Sequence, residues 1–217
     1  MNYLINNLDS NTNYEIRICS VYNDVNSNYS EIKKVKTFFD SLILKESNRV
    51  NEFIRKIYEW TGYNNMKLLY RGSRDGMTHD CFHNKCNNQG PTINLFKNDK
   101  GNIFGGYASI DWTSYGNYKS APDSFIFSLT NIHGTDPTKF PNSNTKNSIY
   151  DYSSSGPCFG GGRDIYTLCG SNNSSGSGFP HSYQDILGKG KSIFTGDLNN
   201  SNTNINLKEI EVFKIFK

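Results

Sequence analysis

Apolar residues at alternate positions recur from one end of this chain to the other, and this pattern restricts it to a β-rich fold more than any other feature. Tyr14, Ile16 and Ile18 alternate with Glu15, Arg17 and Cys19. Phe104, Gly106, Ala108, Ile110 and Trp112 share one strand face, and Phe125, Phe127 and Leu129 share another. Ile210 and Val212 alternate with Glu209 and Glu211 near the end. A period of two residues marks a strand with one buried face. Asn, Ser and Gly crowd the intervening segments, where turns need them. Aromatic residues make up 14% of the 217 residues, sufficient to build a core. A chain of this size buries about 70% of its unfolded surface and needs no metal or disulfide staple. The expectation is a mostly β protein with flanking helices, a sandwich of two antiparallel sheets.

The coarse element order follows. Strands are expected near Tyr14–Ile18 and Tyr29–Lys36. Val50, Phe53, Ile54, Ile57 and Tyr58 form one apolar stripe at helical spacing, so residues 45–60 read as a helix ended by Gly62. A strand at 66–71 and a short helix from Met77 to Cys86, with Asp75 as its cap, come next. Ile93–Lys97 and Ile103–Trp112 read as a hairpin around Asn98–Gly101. Ser124–Thr130 is a strand and Asn131–Ser148 a long polar loop. Asp164–Cys169 and Ser192–Gly196 are short strands, Gly170–Gly178 is a mobile Ser/Asn/Gly tract, and Asn206–Phe216 closes the chain. Glu209 and Glu211, sharing one face of that strand, are expected to face water.

Charge and leader signals narrow the function classes. The formal net charge is +3 with no basic block, so no electrostatic footprint for nucleic acid is present. No run approaches the roughly 20 apolar residues of a spanning helix, so no membrane insertion is expected. The first residues lack a basic, then apolar, export signal. Five cysteines, an odd number, favour reduced thiols in the cytoplasm. Asn-x-Ser/Thr triplets at Asn28, Asn172, Asn173 and Asn199 are chance matches in an Asn-rich chain.

Four constellations suggest chemistry. His79, Cys81, His83 and Cys86 lie within eight residues, but a helix turns Cys81 away from the other three, and Phe82 lies beside them. The expectation there is a packed helix and no metal site, since buried Cys acts as a small hydrophobe. Gly188-Lys-Gly-Lys191-Ser192 hints at a phosphate loop, but Asp185 stands where the pattern needs glycine and would repel phosphate. Gly160-Gly161-Gly162-Arg163-Asp164 lacks the strand-to-helix context of a dinucleotide fingerprint and reads as a close backbone crossing. Cys81, Cys86, Cys158 and Cys169 are candidate nucleophiles, with His133 and His181 as candidate bases. Cys158, beside Gly156-Pro157, reads as the best candidate for a solvent-reachable redox thiol.

Two resemblances add to this reading. Leu8–Tyr14 resembles the tyrosine corner of fibronectin type III domains, and the strands after it resemble the last two of such a domain. From residue 68 onward the chain resembles the TLDc domain, the family that includes the oxidation-resistance proteins. The matching stretches are Leu68–Gly76, Phe82 with Cys86, Gly90–Ile93, Gly101–Tyr107, Trp112, Phe125–Leu129, Gly156–Ile165 and Ile210–Phe213. The resulting division is 1–37 partial fibronectin-like strands, 38–65 a helical lead-in and 66–217 the TLDc-like sandwich. The resemblance implies a protein-interaction module linked to resistance to oxidative damage and, in some members, binding to the vacuolar proton pump (V-ATPase). It supplies no catalytic constellation and no cofactor. Asp75, Phe159, Gly160, Gly162 and Asp164, in the matched stretches, are the binding candidates. The alternatives are a redox-active thiol protein or unrecognised enzyme using Cys158, and a carbohydrate-binding sandwich, which would require export.

Overall fold

The computed structural model describes residues 13–36 and 40–217, in two compact units, residues 1–40 and 41–217. In the first unit Asn13–Ile16 pairs antiparallel with Lys33–Lys36, and Val21–Tyr22 pairs with Val25–Asn26. Asn23 and Asp24 turn that inner hairpin at φ 49° and 62°, the left-handed conformation a two-residue turn demands. Ile18, Val21, Tyr22, Val25, Tyr29 and Ile32 are exposed. Most of the tyrosine-corner run, Leu8 to Thr12, lies outside the described residues, as does Thr37.

The second unit is organised by one six-stranded antiparallel sheet. Its order is Thr138–Pro141, Phe125–Thr130, Ile103–Ala108, Thr92–Asn98, Leu207–Phe216 and Asn65–Arg71. The closing strand lies between two partners, and its residues 211–214 face backbone on both edges. The sheet has two differently covered faces. Helix Val50–Thr61 lies on one, with Phe53 and Ile57 buried and Gly62 ending it at φ 72°. Trp60 meets Phe125 and Phe127 there at ring distances of 6.2 and 5.8 Å. On the other face Phe96, Phe104, Ile126, Ile210 and Val212 join Trp112, Phe140, Phe159, Phe179 and Phe194 in the main core. Two small ribbons, Asn117–Lys119 with Ile149–Asp151 and Tyr166–Cys169 with Ser174–Gly176, complete that second layer.

Gly105 and Gly106 show why neighbouring strand positions carry no side chain. A Cβ on Gly105 would sit 2.0 Å from the Asn94 carbonyl oxygen and 2.7 Å from the Phe127 ring. A Cβ on Gly106 would sit 2.5 Å from the Phe159 ring. One glycine makes room on the helix side and the next makes room on the core side. Phe125 and Phe127 are buried, as the alternation requires, but beneath the helix and not between two sheets.

Several expectations are corrected. The helix expected over 45–60 is split into a single turn, Leu42–Lys45, and the longer helix Val50–Thr61. Asp75 does not cap the next helix. Thr78 does, accepting from the Cys81 N–H, while Asp75 accepts the Arg71 N–H at 2.9 Å. The supposed loop 131–148 contains the edge strand Thr138–Pro141, whose closing proline suits a strand with one unpaired side. Ser192–Thr195 is a helical turn ended by Gly196 at φ 67°, which sends both Ile193 and Phe194 into the core. The tract at 170–178 is not a mobile linker through its length. Ser175 accepts the Leu168 N–H, and Ser177, fully buried, donates to the Asp164 carbonyl. Short hydroxyl side chains there satisfy backbone groups that a buried crossing would otherwise leave unpaired.

The largest correction concerns the closing strand. Glu211 is fully buried and Glu209 nearly so. The Glu211 carboxylate pairs with the Arg71 guanidinium at 2.7 Å. It also accepts the Ser41 hydroxyl at 2.5 Å and the N–H groups of Leu42 and Ile43 at 2.9 and 3.3 Å. A strand carboxylate thereby takes up the free amides at the start of the lead-in turn, where helices lack internal acceptors. Glu209 accepts the Ser73 N–H at 3.1 Å.

Candidate functional site

The binding candidates fall into two places. Asp75 ends the helical turn Gly72–Asp75 that follows strand Asn65–Arg71, and the Arg74 guanidinium beside it holds its carboxyl below the ordinary range. Phe159, Gly160, Gly162 and Asp164 lie together at the glycine run, and they build its interior. Phe159 is fully buried and meets Trp112 edge-on at 5.9 Å. Asp164 is fully buried and accepts the N–H groups of His181, Ser182 and Tyr183 at 2.6, 2.9 and 3.3 Å. Burial pushes its carboxyl up, and those backbone donors offset part of the rise. Gly160, at φ 85°, passes so close to Asp164 that a Cβ would lie 1.9 Å from its oxygen. Gly162 does the same against the His181 ring, at 2.2 Å.

This scaffold holds up an arginine and a set of tyrosines that are not among those candidates. Arg163 is exposed at φ 57°, in a turn fixed by its N–H to the Gly160 carbonyl and by the Gly178 N–H to its own carbonyl. Its guanidinium lies over the rings of Tyr150 and Tyr166 at 5.7 and 5.8 Å, within cation–π range. Tyr150 pairs across the ribbon with Tyr118, at a ring distance of 4.8 Å. Tyr150 also stacks with Tyr152 at 5.5 Å and an interplanar angle of 5°. The Tyr118 hydroxyl donates to the Gly161 carbonyl, tying ribbon to glycine run. Beneath the ribbon, buried Asp151 accepts from the Thr113 and Ser114 N–H groups, the Thr113 hydroxyl and the Lys119 ammonium. The sequence signs of this surface are Arg163 inside the glycine run and the tyrosines at 150 and 152, two residues apart. Its partners came from segments distant in the chain.

The other constellations are placed as follows. Both ring nitrogens of His83 face oxygen atoms, Asn87 Oδ1 on one side and the carbonyls of Tyr152 and Ser155 on the other. Cys86 is buried in the main core. Among the described residues no group of three His, Cys, Asp or Glu side chains converges as a metal set. Asp185 accepts the Gly190 and Leu187 N–H groups, so its carboxylate occupies the hollow a phosphate would need. Ser192 hydrogen-bonds His133 at 2.8 Å, but its hydroxyl donates to the Lys189 carbonyl. His133 therefore donates to the serine oxygen and does not draw off its proton.

Cys158 is corrected: it is fully buried, not solvent-reachable, because Pro157 and Phe159 on either side are buried too. Burial raises the thiols of Cys86, Cys158 and Cys169 above their ordinary range, which keeps them protonated and unreactive. Alkylation of the native protein, read by mass spectrometry, should modify the partly exposed Cys19 and Cys81 first. Cys86 and Cys158 should label only on unfolding. Rapid native labelling of Cys158 would restore the thiol reading.

The TLDc domain model matches residues 25–216, the greater part of the chain. The chain belongs to the TLDc family. This family is associated with resistance to oxidative stress. The match takes in the lead-in helices, the whole six-stranded sheet and both ribbons of this TLDc chain. No curated protein matches it closely enough to count as a relative. No helix among the described residues is long and apolar enough to cross a membrane.

Proposed function

We propose that this TLDc protein acts by binding other proteins in the cytoplasm, as a non-catalytic module in oxidative-stress resistance, with the vacuolar proton pump as its leading partner. The observation that carries the reading is the division of labour around the glycine run. Groups able to do chemistry (Asp164, Asp151, Cys158) are buried and spent on backbone or packing, while the outward groups are an arginine and stacked tyrosines. Tyr and Arg are the residues enriched where binding energy concentrates at protein interfaces. Residues 1–37 fit a separate fibronectin-like unit, and Phe159, Gly160, Gly162 and Asp164 fit supports of the binding surface, with Asp75 a separate binding candidate apart from it.

Co-sedimentation of the full chain with the purified cytosolic sector of the proton pump tests this. The expected result is a saturable complex that survives alkylation of exposed thiols. Absence of any complex, together with turnover of a small-molecule oxidant by the purified chain, would reject it.

A further inference from the structure

We infer that the surface formed by Tyr150, Tyr152, Tyr166 and Arg163 docks an acidic segment of the protein partner, with a Glu or Asp carboxylate seated on the Arg163 guanidinium. This deepens the interaction reading and rests on it.

Charge is the first ground. Arg163 is exposed, and no carboxylate among the described residues forms an ion pair with it. The two carboxylates beneath the surface are already committed, Asp151 to Lys119 and the Thr113–Ser114 turn, Asp164 to the amides of 181–183. The surface is thus cationic, with its own acids buried. Preorganisation is the second ground. The two rings and the left-handed turn restrict the guanidinium before any partner arrives, so little side-chain entropy is lost on binding. Its donors lie in one plane, which matches the two oxygens of a carboxylate. The parallel Tyr150 and Tyr152 rings then offer apolar area to the methylenes of the acidic side chain and its neighbours.

A carboxylate is favoured over a phosphate because one guanidinium supplies the positive charge, whereas phosphate-reading sites gather several arginines. A neutral sugar would stack on the tyrosines but leave the charge without a counterpart.

The test uses the full chain and a fluorescein-labelled ten-residue peptide with Glu at alternate positions between glycines. Its counterparts carry Gln or phosphoserine in place of Glu, and a neutral glucose hexamer is the sugar arm. Anisotropy should show the Glu peptide binding at least about tenfold more tightly than the Gln peptide, the size expected for one charge-assisted contact. Arg163→Gln should lose that preference with an unchanged thermal midpoint, and Arg163→Lys should recover only part of it. Equal binding of Glu and Gln peptides, an unaffected Arg163→Gln variant, no binding of the Glu peptide, or preference for the phosphopeptide or the sugar would each overturn the inference. A photo-crosslinker placed at Tyr152 separates the two levels. If it traps a pump subunit while the Glu peptide fails, the acidic-segment inference falls and the interaction reading stands. If it traps none and the co-sedimentation also fails, the interaction reading itself falls.

Discussion

Replacing Glu211 by Gln is expected to cost about 3–5 kcal/mol of unfolding free energy, because it breaks a buried ion pair by removing the charge that the Arg71 guanidinium meets at 2.7 Å. The loss has a second part. The Glu211 oxygens also accept from the Ser41 hydroxyl and from the Leu42 and Ile43 amides, and Gln presents only one acceptor oxygen. The lead-in turn Leu42–Lys45 should therefore loosen along with the sheet. Urea unfolding of wild type, Glu211→Gln and the double variant Arg71→Met with Glu211→Leu separates the parts. Removing both charges should recover the ion-pair share but not the stability given by the Ser41–Ile43 donors. Full recovery would mean that the cap contributes nothing.

The second large effect is expected at Phe159. Truncation to Ala should cost about 3–5 kcal/mol, the range for a fully buried aromatic ring. Phe159 fills the space that Gly106 leaves, so the two positions should not act independently. Gly106→Ala alone forces a Cβ to 2.5 Å from the ring and should cost about 1–3 kcal/mol by overpacking. With Phe159 already Ala, that Cβ has room. The double variant should then be less destabilised than the two single losses added, with a coupling on the order of 1 kcal/mol. Simple additivity would show that ring and glycine do not meet in solution. Gly105→Ala offers a contrast, since its Cβ meets the Asn94 carbonyl oxygen at 2.0 Å and no side-chain truncation can relieve that.

The β framework was legible in the sequence because strand burial repeats every second residue, so Phe104 with Gly106 and Phe125 with Phe127 announce their own faces. Which cover each face meets was not legible. It depends on pairing: Gly105 stands opposite Phe127 and Gly106 opposite Ile126, and this places the two aromatic sets on opposite sides. The burial of Glu211 is hidden for a related reason. Alternation predicts which residues share a face with Glu209, but it presumes one face is wet, and here both are covered. Ser192–Thr195 reads as strand because Ile193 and Phe194 favour strands locally, while the structure buries both from a helical turn. The glycine run was recognised as a close crossing. The surface it supports was not, since Tyr118, Tyr150, Arg163 and Tyr166 meet only after the ribbon pairs and the Asp164 turn closes.

The claim that binding is carried by the Arg163–tyrosine surface is tested most directly by hydrogen–deuterium exchange of the full chain, alone and with the purified cytosolic sector of the proton pump. Slower exchange on binding is expected in residues 149–152 and 160–166, and Arg163→Gln should abolish it without changing exchange in the strand Leu207–Phe216. Slowing confined to other segments, or the same footprint in the Arg163→Gln protein, would contradict it.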